Sequence, residues 1–144
     1  MIQHIDVHAV LQQSVPGYYA DLVTRPTGRA VREQIERAIA APGAALARID
    51  FSGVGCIDYS CADEIIAKLL RGVTVLLLRG LTDGHREAIE PVLQGHGLAV
   101  LIERPDGTLD ALGPREPVER LIDDVVARRL AARTPGGALA LTAA

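Results

Sequence analysis

Between positions 58 and 64 the chain reads Asp-Tyr-Ser-Cys-Ala-Asp-Glu, which puts a phenol, a hydroxyl, a thiol and three acids within seven residues. Ser60 is the first candidate for chemistry. As a nucleophile it needs a base, and no histidine stands near it; His85 and His96 reach it only through folding. The run Ser60-Cys61-Ala62-Asp63 also fits a capping box, in which a serine accepts from the N–H three residues on and an acid reaches back. A helix start of that kind contributes about 1 kcal/mol. The same place suits a charge switch. A phosphate on Ser60 adds about −1.5 to −2 charge beside helix N–H groups that tolerate anions, among Asp58, Asp63 and Glu64.

The surrounding stretch Ala-Arg-Ile-Asp-Phe-Ser-Gly-Val-Gly-Cys-Ile-Asp-Tyr-Ser-Cys-Ala-Asp-Glu-Ile-Ile-Ala-Lys-Leu-Leu (47–70) carries a further signal. Asp50-Phe51-Ser52-Gly53-Val54 and Ile57-Asp58 follow the pattern D-[LF]-S-G-V-x-x-I-D-S-S-G. On these residues the chain resembles the STAS family, the domain of sulfate transporters and anti-sigma factor antagonists, and in particular a divergent bacterial branch of it. Ser60 falls on the serine that antagonist members phosphorylate. Tyr59 stands where the first serine of the pair would be, and Cys61 with Ala62 replaces the following glycine. The resemblance implies a mostly parallel α/β sheet under about four helices, and no catalytic role. It implies a surface that binds an ATPase-type kinase, an anti-sigma factor or another signalling protein. Ser52, Gly53, Asp58, Tyr59, Ser60, Cys61 and Asp63 are its expected contact residues, with Asp58 shaping the loop. Tyr59 is either a contact anchor, as tyrosine often is at binding hot spots, or a ring lying over the sheet edge.

Other constellations stand beside this one. Arg25 and Arg29, with Arg32, surround a helix start in Thr-Arg-Pro-Thr-Gly-Arg (24–29), and make a candidate anion-binding pair or a solvated basic face. Joined to the Ser60/Cys61 helix start, they give the alternative reading: a small phosphate- or nucleotide-binding domain or enzyme. No G-x-x-x-x-G-K-[ST] loop exists, and no cofactor is implied. Cys56 and Cys61 are five positions apart, not in a C-x-x-C motif. Acids beside Cys61 oppose the helix dipole, so an inert small side chain is expected there. His4 and His8, if both lay on a strand, would be about 13 Å apart, too far to share a metal. Asp106-Gly107 lacks the acidic spacing of a calcium loop.

Periodicity supplies the elements that must position these residues. Strands are expected over 5–11, 19–24, 44–51, 73–79, 98–103 and 108–112, the last two as a hairpin across the 104–107 turn. Helices are expected from Thr27 and Gly28 to about 40, over 60–71, over 83–95 with Thr82 as cap, and from Glu116 to Leu130. Pro91 should kink or split the third of these. Strand and helix alternation favours a parallel or mixed sheet with covering helices. Residues 1–133 then form one domain, and 134–144 a flexible C-terminal tail.

Composition narrows the function classes. The 144 residues are 49% hydrophobic and 23% charged, which provides for a core, but only 3% are aromatic. Stacking platforms for single-stranded nucleic acid are therefore scarce. A net charge of −3 supplies no general field for nucleic acid. The longest strongly apolar run, Val73–Leu78, falls far short of the ~20 residues of a membrane span. The N-terminal stretch lacks the features of a secretory signal. A cytoplasmic address with reduced thiols is expected, with a protein partner and neither membrane nor nucleic acid. Self-association is a third reading.

Overall fold

The computed structural model describes residues 2–14, 20–39, 46–72 and 75–142. The chain runs β1 (Ile2–Asp6), α1 (Val7–Ser14), α2 (Arg25–Ile39), β2 (Leu46–Asp50) and α3 (Tyr59–Ala62) with a π-helical turn (Asp63–Ala67). It continues through β3 (Leu76–Arg79), α4 (Asp83–His96), β4 (Val100–Glu103), β5 (Thr108–Leu112), α5 (Arg115–Ala127), β6 (Ala131–Arg133) and β7 (Leu139–Leu141). Among the described residues the strands form one seven-stranded sheet in the order β1-β2-β3-β4-β5-β7-β6.

The sheet is mixed as expected, but not mostly parallel. β1 to β4 pair in parallel, whereas β4–β5, β5–β7 and β7–β6 are antiparallel. The difference comes from the region expected to be a flexible tail. Leu139 is buried there and pairs with both Leu109 and Arg133. The alternating Leu-Ala-Leu of β7 supplies one more apolar face, and a turn at Thr134–Gly137 returns the chain to the sheet. Among the described residues five α-helices accompany the sheet, one more than expected.

The extra helix replaces an expected strand. Residues 5–11 alternate early, yet Val7, Val10 and Leu11 share a stripe at helical spacing, and Val7 and Leu11 are fully buried. Asp6 Oδ1 accepts from Ala9 N at 3.1 Å and caps that helix. A period of 3.6 therefore prevails over a period of 2. The expected strand at 19–24 reduces, within the described residues, to one bridge between Leu22 and Ile57. α2 begins at Arg25, two residues before Thr27.

Strand alternation sorts the core onto two faces. Ala47, Ile49, Leu76, Leu78, Val100 and Ile102 pack under α1 to α4. Leu46, Leu77, Leu101, Leu109 and Leu139 face Val125 of α5. β2, β3 and β4 carry apolar residues on both sides, as strands buried on both faces must. Thr82 caps α4 as expected, and Gly97, with φ of 65°, ends it. α4 passes Pro91 as one continuous helix. Pro91 and Glu87, whose carbonyl the ring deprives of a donor, are both exposed, so water can take up the freed oxygen. All four helical segments on the first face start near the carboxyl ends of the parallel strands, the end at which α/β sheets commonly place their sites.

Candidate functional site

β2 ends at Asp50, whose Oδ1 accepts from Ser52 N at 2.9 Å and turns the chain. Phe51, Val54 and Ile57 point into the core, leaving Ser52, Gly53, Gly55 and Cys56 as an exposed rim of small residues. Gly53 is needed there: its φ is 88°, and a Cβ would stand 3.3 Å from the His8 ring. The rim is tied down on two sides. Gly55 N donates to Ala20 O at 2.6 Å, Leu22 N to Cys56 O at 2.7 Å, and Asp58 N to Leu22 O at 3.0 Å. On the other side the buried His85 bridges to α4. Its Nδ1 accepts from Thr82 N at 3.0 Å, so Nε2 carries the hydrogen and donates to Gly55 O at 2.6 Å. His85 is thus a structural link and not a base for Ser60. This link is not among the expectations from the sequence, although the place of His85 three residues after the Thr82 cap is a signal for it.

Asp58, and not Ser60, caps α3. Its backbone is extended (φ −94°, ψ 170°), and Oδ1 accepts from Cys61 N at 2.8 Å. Ser60 is already inside the first turn, and its Oγ donates to the same Asp58 oxygen at 2.8 Å. The expected Ser60–Asp63 box fails because the cap lies two residues earlier, which leaves Asp63 beyond the first turn. The second Asp58 oxygen accepts from Thr24 N at 2.9 Å, at the start of α2. One carboxylate therefore holds two helix starts. Burial alone would raise its pKa, but the hydrogen bonds from Cys61, Thr24 and Ser60 outweigh it and hold the carboxyl below its ordinary range.

Cys61 leaves the expected contact surface altogether. It is fully buried, its Sγ donates to Thr24 O at 3.0 Å, and burial together with the Asp58 charge pushes the thiol up to about 12. Cys56, by contrast, is an exposed free thiol. Native protein should therefore titrate one thiol quickly with a disulfide reagent and the second only after unfolding in guanidinium. Fast reaction of both in the native state would contradict this burial.

The arginines that make the candidate anion-binding pair or solvated basic face hold this chain's own acids. Arg25 reaches Asp63 at 2.8 Å and Glu64 at 3.5 Å, and Arg29 reaches Glu64 at 3.6 Å. Arg32 stands 3.9 Å from Glu64, and Lys68 donates to it at 2.9 Å. Glu64 has no exposed side-chain surface. Desolvation works to raise its pKa, and the Lys68 hydrogen bond and charge, then Arg32 and Arg25, bring it below the ordinary value. The π-helical turn lies at these residues, and the close approach of α2 accompanies it. A Cβ on Gly28 would meet Cys61 Cα at 2.9 Å. Asp63 is similarly committed, to Arg25 and to His96 Nε2 at 2.7 Å.

What faces outward is Tyr59, half exposed at 50%, with its hydroxyl about 4 Å from where a Cβ on Gly95 would stand. Its ring thus runs toward the last turn of α4 and not over the sheet edge. Ser60 is half-buried beside it. A cavity of about 180 Å³ adjoins the rim at Asp50 and is lined by His4, Ile5, Asp6, Arg48, Asp50 and Arg79. Among the described residues no group of three or more His, Cys, Asp and Glu could hold a metal ion, and no helix is long and apolar enough to cross a membrane. No protein-family model, no curated protein and no solved structure matches the chain.

Proposed function

We propose that this chain is a regulatory protein–protein interaction module of STAS type, cytoplasmic, that docks an ATPase-type kinase or similar signalling protein through the rim at 52–56 and the first turn of α3. The observation that carries the reading is the pairing of a half-exposed Tyr59 with a half-buried Ser60 on a shallow surface of small residues. A partner backbone can approach Ser52, Gly53 and Gly55 closely, and the Tyr59 ring supplies an anchor of the kind enriched at hot spots. Asp58 orients the Ser60 hydroxyl. Phosphorylation would move a γ-phosphoryl group from the partner's nucleoside triphosphate to Ser60 Oγ, with the hydroxyl proton lost and the diphosphate released. The surface would then turn strongly acidic beside Asp58. The alternative, a phosphate- or nucleotide-binding domain or enzyme, is weakened by the engagement of Arg25 and Arg29 with Asp63 and Glu64.

Capture on the immobilised chain, followed by binding of the purified captured protein, tests the reading. Tyr59→Ala should weaken binding by about 30-fold, as for a 2 kcal/mol hot spot, and leave the melting temperature within about 1 °C. Ser60→Asp should abolish binding. A melting shift of several degrees with inorganic phosphate or a nucleotide, together with a silent Tyr59→Ala, would turn the assignment to the alternative.

A further inference from the structure

Thr24 is a β-branched residue held at φ of 70°, a left-handed conformation such side chains rarely adopt. Three hydrogen bonds to its backbone hold it there, beside one between the Thr24 and Thr27 hydroxyls at 3.2 Å. Its N–H donates to Asp58 Oδ2, its carbonyl accepts from the Cys61 thiol, and the same carbonyl accepts from Gly28 N at 3.2 Å. Two of the three come from the first turn of α3, where Asp58 Oδ1 is shared by Cys61 N and the Ser60 hydroxyl. The strain at position 24 and the hydroxyl at position 60 therefore meet on one carboxylate.

From this we infer that the junction before α2 is a latch, loaded by Thr24 and released when Ser60 gains negative charge. The inference rests on the Ser60 switch proposed above. A phosphoserine cannot donate the hydroxyl hydrogen bond to Asp58 and repels its carboxylate at a distance where the hydroxyl now sits at 2.8 Å. The phosphate competes with Asp58 for Cys61 N. Once Asp58 moves, Thr24 N loses its acceptor, and the backbone can relax to a conformation ordinary for threonine. The start of α2, carrying Arg25 and the close-packed Gly28, loosens with it. The switch then alters the shape of the docking surface as well as its charge, because the Leu22–Thr24 segment is bonded to residues 56–58, where the rim meets α3.

Hydrogen exchange read by mass spectrometry tests this on the free protein, without a partner. With phosphoserine or aspartate at position 60, peptides covering 20–28 should exchange about tenfold faster, while β3 and β4 peptides keep their protection. Asp58→Ala, which removes both acceptor oxygens, should produce the same local release with no added charge, which covers the case that Ser60→Asp folds poorly. Thr24→Asn, which suits the left-handed conformation, should raise the melting temperature by about 2–4 °C and blunt the release caused by Ser60→Asp. Unchanged exchange at 20–28, or an increase spread equally over the sheet, would overturn the latch. If Ser60→Asp abolishes partner binding with no change at 20–28, the docking reading stands on charge alone and the latch falls. If 20–28 loosens and binding persists, the latch stands and the docking reading falls.

Discussion

Glu64→Gln lowers the thermal midpoint at neutral pH by about 6–12 °C. The side chain has no exposed surface and is the shared counter-charge of Arg25, Arg29, Arg32 and Lys68. Glutamine keeps the shape and removes the charge, so the four cations lose their shared acid; Arg25 keeps Asp63 and Arg32 keeps Glu36, while Arg29 and Lys68 lose the pairing with Glu64. Removing one partner of a fully buried pair costs about 3–5 kcal/mol. Here Arg25, Arg29 and Lys68 are partly exposed and can turn to water, which brings the expected loss to about 2–3 kcal/mol. At this chain length each kcal/mol shifts the midpoint by about 3–4 °C. The effect has a signature in pH. Because the folded pKa lies below the ordinary glutamate value, the stabilisation is complete above about pH 4.3 and is lost as pH falls through the folded value. Wild type and variant should differ most between pH 6 and 7 and converge in acid. Equal midpoints at neutral pH would mean that the cations are already satisfied by water.

The second large effect is at Asp58. Asp58→Ala strips the cap from α3 and the acceptor from Thr24 N at the start of α2 in one change, and leaves the Ser60 hydroxyl without its partner. Loss of a helix cap costs about 0.5–2 kcal/mol, so two starts together predict about 2–3 kcal/mol, again near 10 °C. Asp58→Asn keeps one oxygen and should fall about midway. Asp58 and Asp63 both lie below the ordinary range. Their contributions are therefore present above about pH 4 and disappear as pH falls further, so acid should unfold this corner first. Circular dichroism melts from pH 2 to 7 on wild type and both variants check the order. A variant as stable as wild type at pH 7 would remove Asp58 from its double role.

Much of the fold was legible from local pattern. Thr82 and Gly97 bound α4 as their types require, and the 104–107 turn joins β4 to β5 as a hairpin. The apolar runs at 46–50, 76–79 and 100–103 became strands covered on both faces. The structure departs from local pattern where two local rules compete. Residues 5–11 satisfied both periods, and the buried stripe through Val7 and Leu11 selected the helix. Ser60 and Asp58 are both good caps, and pairing with Thr24 selected Asp58. The Leu-Ala-Leu of β7 is too short to read as a strand without a waiting edge, which β5 supplies.

Residue type and spacing alone determined that an aliphatic α/β chain would turn, after β2, into a rim of small residues and a helix start rich in acids. Only the tertiary structure decided which of those groups remain available. Asp58 meets Thr24 across 34 positions, Arg25 meets Asp63 across 38, and His85 meets Gly55 across 30. Such pairings follow from how helices cross a sheet, since a polar group taken out of water must find a partner wherever packing places one. That is why Cys61, Asp63, Glu64 and the arginines find partners within the chain, while Tyr59 stays half exposed and Ser60 half-buried.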